Sequence, residues 1–342
     1  MMNLTRRKLL GTGAAALSVA MIARPDVARA ATTLKMSIDT GPGHHRTVVT
    51  ERWVEIVNKA SGGELTIELY HSAQLFKDSD LPRALRQGAI DIGMPGNWVL
   101  GGVDPNNDIF LMPMFFGVPQ DKMHLISDGE VGAKLGAKLE TNLGVKMVGR
   151  WLDHGYSDLH ATYPVQGSQD LKGKRVRSFG GAGTEARIRY FGGDPVLIPW
   201  ADVPLALSQG NFDAMYSVSA GVASSKLWEA GVTHTVVEPQ FFHQYLPMIG
   251  NAALAKLPEE MQALIFSTWE DNIVAFRAST MAAQAAAHGL LEEKGVTVVR
   301  PDPAGYVTIS EGLMKTQDKL TTDLKIDPEL VALSMKALNP SS

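Results

Sequence analysis

The clearest chemical signal in this 342-residue chain is a pair of arginines on one predicted strand, Lys174 to Phe179. In Arg175-Val176-Arg177 the two guanidinium groups share a side and flank an inward Val, because side chains alternate along a strand. Only Arg177, nearer the strand end, can project over a cleft; Arg175 is left to solvent. A guanidinium in a partly dry cleft can make two parallel charge-assisted hydrogen bonds to a carboxylate. The chemistry offered is therefore recognition of an organic acid, or else an ion pair inside the protein. Trp98, Trp151, Trp200 and Tyr216 each lie just past a predicted strand end, as does the polar Asn97. Aromatics placed there can wall a pocket and stack on a flat ligand, although each taken singly would serve as core.

Signals of catalysis are thin. The nine histidines show no metal-ligand spacing. His44 and His45 sit in a loop beside two glycines, and neighbouring side chains point apart, so no shared metal is expected there. His44 is kept as a candidate ligand contact. Ser157, Asp158 and His160 have the residue types of a catalytic triad, but triad members come from separate elements. Gly181-Ala182-Gly183-Thr184-Glu185-Ala186 matches a dinucleotide fingerprint after a strand and before a helix. The next strand, Val196-Leu197-Ile198, does not end in the acidic residue that would hold a ribose. The same loop can bind a simpler anion through its N–H groups and the helix dipole. An exported nicotinamide-dependent oxidoreductase is the alternative reading that rests on this loop.

The elements that must position these residues are announced by a phrase stated twice. Ala84-Leu85-Arg86-Gln87-Gly88-Ala89-Ile90-Asp91-Ile92 returns as Ala206-Leu207-Ser208-Gln209-Gly210-Asn211-Phe212-Asp213-Ala214. Both copies read as a helix end, a left-handed Gly that stops it, and a buried strand opening on Asp. Two similar α/β lobes with a ligand cleft between their strand ends follow. In the first lobe, strand 34–38, helix 47–60, strand 64–70 and the helix before Gly88 give a β-α-β-α-β order and a mostly parallel sheet. From Pro258 to His288 there is no internal Gly or Pro, so a helix of about 45 Å is expected to brace both lobes. The predicted division is 31–153 plus 244–283 for lobe I and 154–243 plus 284–342 for lobe II.

Residues 1–30 read as an export leader: the twin-arginine pattern Thr5-Arg6-Arg7-Lys8-Leu9-Leu10, a short apolar run, and a small-x-small cleavage site at Ala28-Arg29-Ala30. That places the mature protein in the periplasm. Without those residues 27 basic and 35 acidic side chains remain, a net charge of −8. Such a chain, lacking basic runs, is a poor match for nucleic acid or anionic membranes. Having no cysteine, it has no thiol chemistry and no disulfides.

Several segments resemble the periplasmic solute-binding proteins of TRAP (tripartite ATP-independent periplasmic) transporters. They are Gly62-Gly63-Glu64-Leu65 through Ser72-Ala73-Gln74-Leu75, Gln87-Gly88-Ala89-Ile90-Asp91, Leu111-Met112-Pro113-Met114-Phe115-Phe116, Asp170 to Arg177, and Ile198-Pro199-Trp200-Ala201-Asp202-Val203 through Asp213. The resemblance implies an α/β, two-lobed binding protein (a Venus-flytrap fold) with a long helix spanning both lobes. It further implies no enzymatic activity and no cofactor. Such a protein closes on an organic acid and delivers it to a membrane permease driven by an ion gradient; a chemoreceptor is the other conceivable partner, and a monomer the default state. Arg177 falls on the family's carboxylate-binding arginine, Trp200 where an aromatic often covers the ligand, and Ser217 where an Asn is usual. The frequent Asp-Gly-Gln-Glu-Asn-Pro run is here Asp213-Ala214-Met215-Tyr216-Ser217-Val218, and a second arginine shortly after Gly155 is absent. These losses favour a monocarboxylate with an apolar or aromatic body, such as an aryl or 2-oxo/2-hydroxy acid.

Overall fold

The structure, a computed structural model, describes residues 31–339, so the expected leader lies outside the described residues. Twelve strands appear among the described residues: β1 (Thr32–Ser37), β2 (Leu65–Tyr70), β3 (Ile92–Gly93), β4 (Val145–Met147), β5 (Leu152–Ala161), β6 (Arg175–Ser178), β7 (Asp194–Leu197), β8 (Ala214–Val218), β9 (His234–Val236), β10 (Phe242–Tyr245), β11 (Met248–Gly250) and β12 (Thr297–Val299). They build two sheets, ordered β2-β1-β3-β11-β4 and β12-β9-β5-β8-β6-β7, with β10 pairing β5 off the second path. Each sheet is the heart of one lobe. The sheets are mixed rather than mostly parallel. β1 runs parallel to β2 and β3, and β6 parallel to β7 and β8. β11 is antiparallel to both its neighbours, and β5 is antiparallel to β8, β9 and β10. These reversals arise where the chain crosses between lobes: β5 carries it out of the first, and β10 followed by β11 brings it back.

The repeated phrase forms the same device in both lobes. Helix Leu81–Arg86 and helix Val203–Ser208 each carry Pro in the first turn, where its missing N–H costs nothing. Each ends on a left-handed glycine, Gly88 at φ +67° and Gly210 at φ +68°. The two following residues close the turn alike: Ala89 and Asn211 each donate N–H to a carbonyl five residues back, Ala84 and Ala206, at 2.9 Å. The terminal Asp then pins the new strand beside the older one. Asp91 accepts the N–H of Lys35 at 2.8 Å, and Asp213 accepts that of Arg175 at 2.9 Å.

Helix Glu259–Glu293 is 35 residues long, about 52 Å, and runs past the expected end at His288 through Gly289. Its core face stacks Trp269 edge-on against Trp53 at 5.3 Å, with Ile273 and Phe276 following in the same cluster. Further along, Arg277 holds Asp128 through two bonds of 2.6 and 2.7 Å. Gln284 then donates to the Tyr156 carbonyl, and His288 meets Asp158 at 2.8 Å. One helix thus fastens elements of both lobes. No helix among the described residues is long and apolar enough to cross a membrane.

One expected boundary needs correction. After β12 the chain returns to lobe I. Ile326, Leu330 and Leu338 join the cluster of Leu135, Leu139 and Val145, and Gln317 accepts the N–H of Met114 at 3.1 Å. The reason is burial: helices Gln120–Ser127 and Glu130–Leu143 expose an apolar stripe that the C-terminal helix Pro328–Leu338 covers.

Nothing lies within 4 Å of a Cβ added at Gly88 or Gly210, so substitution there tests backbone strain alone. Gly88→Ala and Gly210→Ala should each lower stability by about 1 kcal/mol with an unchanged m-value in urea unfolding. A cost several times larger at one site only would show that the two turns are not equivalent.

Candidate functional site

Between the lobes lies a cleft enclosing about 680 Å³ of space free of protein atoms, open in part to solvent. Lobe I contributes Asp39 and Thr40 after β1, then His44, Asp78, Ser79, Trp98 and Val99. From lobe II come Arg177 and Phe179 at the end of β6, Leu197 at the end of β7 with Pro199 and Trp200 just after it, and Tyr216 to Val218 on β8. The crossing strands β5 and β10 add His154, Ser157, His243 and Tyr245.

Arg177 is only 4 % exposed. Its Nε donates to the Ile198 carbonyl at 2.8 Å, which fixes the fork, while its two terminal nitrogens have no partner among the described residues. Phe179 and Trp200 flank the guanidinium, their ring centres 5.9 and 5.8 Å away. Burial depresses its pKa to about 10, opposed by Asp39, Tyr245 and Asp78. It remains a cation at neutral pH, with both terminal NH2 groups turned to the cleft and free of partners among the described residues.

A second buried arginine escaped the sequence reading. Arg46, fully enclosed at the start of helix His45–Ala60, donates to Asp39 at 2.6 Å and to the Met94 carbonyl. It lies 3.7 Å from Asp78 and 3.7 Å above the Tyr245 ring. Its charge is therefore matched inside the protein. The signal available in the sequence was the Asp39…Arg46 spacing around a Gly-rich loop, which pairs only once that loop folds back.

Three imidazoles cluster here, His44 and His154 on the wall and His45 behind them. His45 Nε2 meets His154 Nδ1 at 3.0 Å, His44 stacks on His45 at 4.2 Å, and His44 Nδ1 accepts the N–H of Arg46 as a helix cap. All three are held neutral, their pKa values lowered by burial and then by neighbouring imidazole or Arg46 charge. Their ligating atoms lie within 4.8 Å of one another, the spread of a metal site. The fit is poor, however. Stacked rings aim their lone pairs in parallel, the His44 cap leaves its proton on Nε2, and Arg46 adds positive charge beside the trio.

Of the residues singled out from sequence, Arg177, Trp200, Tyr216, Ser217, Trp98 and His44 are brought to the cleft. Tyr216 reaches the wall but spends its hydroxyl on Ser168 at 2.9 Å. Ser217 lends its carbonyl to His160 and keeps its hydroxyl unengaged. Two candidates are misplaced. Trp151 turns away from the cleft and packs edge-on to Phe110 at 5.3 Å in the lobe I core, its carbonyl accepting from Arg277. Asn97 is buried beside Trp98 without reaching the wall. Arg175 is exposed as expected, though it pairs with Asp213 at 2.6 Å.

The glycine-rich loop is already filled. Asp108 of lobe I accepts the Ala182 N–H at 2.9 Å at the start of helix Ala182–Tyr190. A Cβ on Gly181 or Gly183 would fall 2.4 or 2.6 Å from Leu111. The anion at this helix end is thus the chain's own carboxylate, its pKa raised to about 6 by burial against the bonds it accepts. A dinucleotide phosphate would have to displace it, so the oxidoreductase reading is overturned. The triad types also disperse. Ser157 meets His243 at 2.6 Å, Asp158 faces Ser219 and His288, and His160 meets Thr235. No carboxylate orients His243, whose Nδ1 is buried without a partner.

The two-lobed α/β fold thus places a charged, aromatic-walled cleft between its two sheets. Residues 36–319 match the model of bacterial extracellular solute-binding proteins, family 7 (DctP), and the chain belongs to that family. It is similar to the 2,3-diketo-L-gulonate-binding periplasmic protein of Escherichia coli, 27% identical over 70% of this chain and 73% of that one. The C4-dicarboxylate-binding periplasmic protein of Rhodobacter capsulatus is 26% identical over 75% of this chain and 76% of its own. Among solved structures, a TRAP periplasmic solute-binding protein of Ralstonia eutropha, holding (S)-2-hydroxy-2-methyl-3-oxobutanoate, superposes with a TM-score of 0.83 at 21% identity, covering 90% of this chain and 99% of that one.

Cleft and core tryptophans should separate by experiment. Trp151→Ala, which empties a core site, should cost about 3–5 kcal/mol of stability. Trp200→Ala should cost far less stability and weaken solute binding instead. The check is urea unfolding beside calorimetric titration; a loss of affinity in Trp151→Phe at intact stability would return Trp151 to the site.

Proposed function

We propose that this protein captures a small monocarboxylate with an apolar or aromatic body and delivers it to a TRAP-type permease driven by an ion gradient. The observation that carries the reading is the buried Arg177 fork with both terminal nitrogens unpartnered. Such a group is costly to leave unmatched and supplies the geometry of a bidentate carboxylate contact. The three relatives named above all bear acids in their names or structures, which agrees with an acid here. Arg46 is already matched by Asp39 and Asp78, so one guanidinium remains for one carboxylate. Trp98, Phe179, Trp200 and Val218 offer apolar surface to the remainder of the solute.

The solute would bridge Arg177 and polar groups of lobe I and close the two lobes by hinge rotation. In this reading lobe I comprises 31–153, 244–283 and the segment after β12, and lobe II comprises 154–243 with β12. Lys77 and Asp202, 2.6 Å apart on opposite rims, fasten the closed form. Closure is the state the permease reads. The twin-arginine leader takes the chain to the periplasm, where it acts as a monomer.

A thermal-shift screen of organic acids should yield stabilisation by monocarboxylates above dicarboxylates. With a hit in hand, Arg177→Ala should weaken binding by about 2–5 kcal/mol in a calorimetric titration, and Arg177→Lys by less. Unchanged affinity in Arg177→Ala would refute the carboxylate role.

A further inference from the structure

Four charged groups meet at the floor of the cleft and just beneath it: Arg177, Asp39 and Asp78 line it, and the enclosed Arg46 pairs with both aspartates from behind. Two positive and two negative charges balance before any solute arrives. A bound monocarboxylate adds one negative charge to a site where none of these four side chains is more than a tenth exposed. Uncompensated charge in such a place is costly, and a titratable group takes up the difference. The two acids are not equally placed to do so. Asp39 contacts Arg46 at 2.6 Å, whereas Asp78 stands 3.7 Å from it and otherwise accepts only the Gly96 N–H, at 3.3 Å to each oxygen.

Resting on the carboxylate reading above, we propose that solute capture is proton-linked: Asp78 takes up a proton as the monocarboxylate binds Arg177, which keeps the closed cleft neutral. The other groups facing Asp78 leave this role to it. From the first helix Arg46 attracts its charge, from the β1 loop Asp39 repels it, and from β6 Arg177 attracts it at longer range. On β10, Tyr245 is held protonated by burial, and His243 neutral. His44 and His154 are neutral likewise. Next to Asp78 in sequence, Lys77 and Asp80 are paired outward with Asp202 and Arg83. Burial already lifts Asp78 to about 7 before solute enters. An added anion lifts it further, so uptake occurs above pH 7, while at lower pH the proton is increasingly in place beforehand. Once Asp78 is neutralised for the first carboxylate, a second would go uncompensated, which makes Asp78 a specificity-determining residue favouring monoacids.

The test uses the full mature chain with pyruvate and benzoate as probes, titrated calorimetrically at pH 6 to 9 in buffers of different ionisation enthalpy. Uptake approaching one proton per bound acid is expected near pH 8, with affinity falling toward tenfold per pH unit above about 7. Asp78→Asn should bind at pH 8 at least as tightly as the parent, with no proton uptake and a flat profile. Binding without uptake in the parent chain, or uptake retained in Asp78→Asn, overturns this inference and leaves the carboxylate reading standing. Failure of both acids to bind at any pH overturns the carboxylate reading as well. The parent measurement needs no variant, so poor folding of Asp78→Asn would not shield the idea.

Discussion

A guanidinium taken out of water must recover its hydrogen bonds or remain a standing cost to the fold. Arg177 recovers one, through Nε to the Ile198 carbonyl, and leaves its outer edge open to the cleft. The surrounding structure follows from that condition. Phe179 and Trp200 shield the fork from water, and the Ile198 contact stops it from swinging to solvent. Two lobes are needed because a single surface could not dehydrate the cation and still admit a solute.

The inner charges extend the same constraint. Arg46 is compensated by Asp39 and Asp78 while Arg177 has no ion pair among the described residues, and the difference between them is set by where two aspartates fall. Asp39 sits just after β1 and Asp78 precedes helix Leu81–Arg86, so both are fixed by the scaffold of lobe I. The neutral histidines beside them add hydrogen-bonding capacity without adding charge. On the reading proposed above, such a cleft discriminates by the number of negative charges a solute carries as well as by its shape.

The scaffold rests on a repeated turn. A left-handed glycine, a closing backbone bond and an aspartate on the adjacent strand recur in each lobe, with the strand ends of both facing the cleft. Chain crossings at β5, β10–β11 and the long helix hold the two lobes in one compact body across the described residues 31–339. Asp108, placed on the helix start at Ala182, adds a contact across the lobes where a phosphate-binding loop would otherwise stand open.

Much of this was legible in the chain itself, because it depends on local rules. Helix-stopping glycines, strand alternation that separates Arg177 from Arg175, and an unbroken run of helix formers all act within a few residues of one another. Tertiary structure decided whatever depends on which distant surfaces meet. Trp151 and Trp98 look alike in sequence, yet one faces Phe110 and the other the cleft. The same glycine loop reads equally as a nucleotide site or an anion site until Asp108, 74 positions away, occupies it. Arg46 is invisible as a cleft residue until Asp39, Asp78 and Tyr245 enclose it, and the C-terminal helices have no assigned lobe until their apolar stripes find a partner. Spacing along the chain sets local geometry, whereas burial, which gives a charge its energy, is a property of the assembled fold.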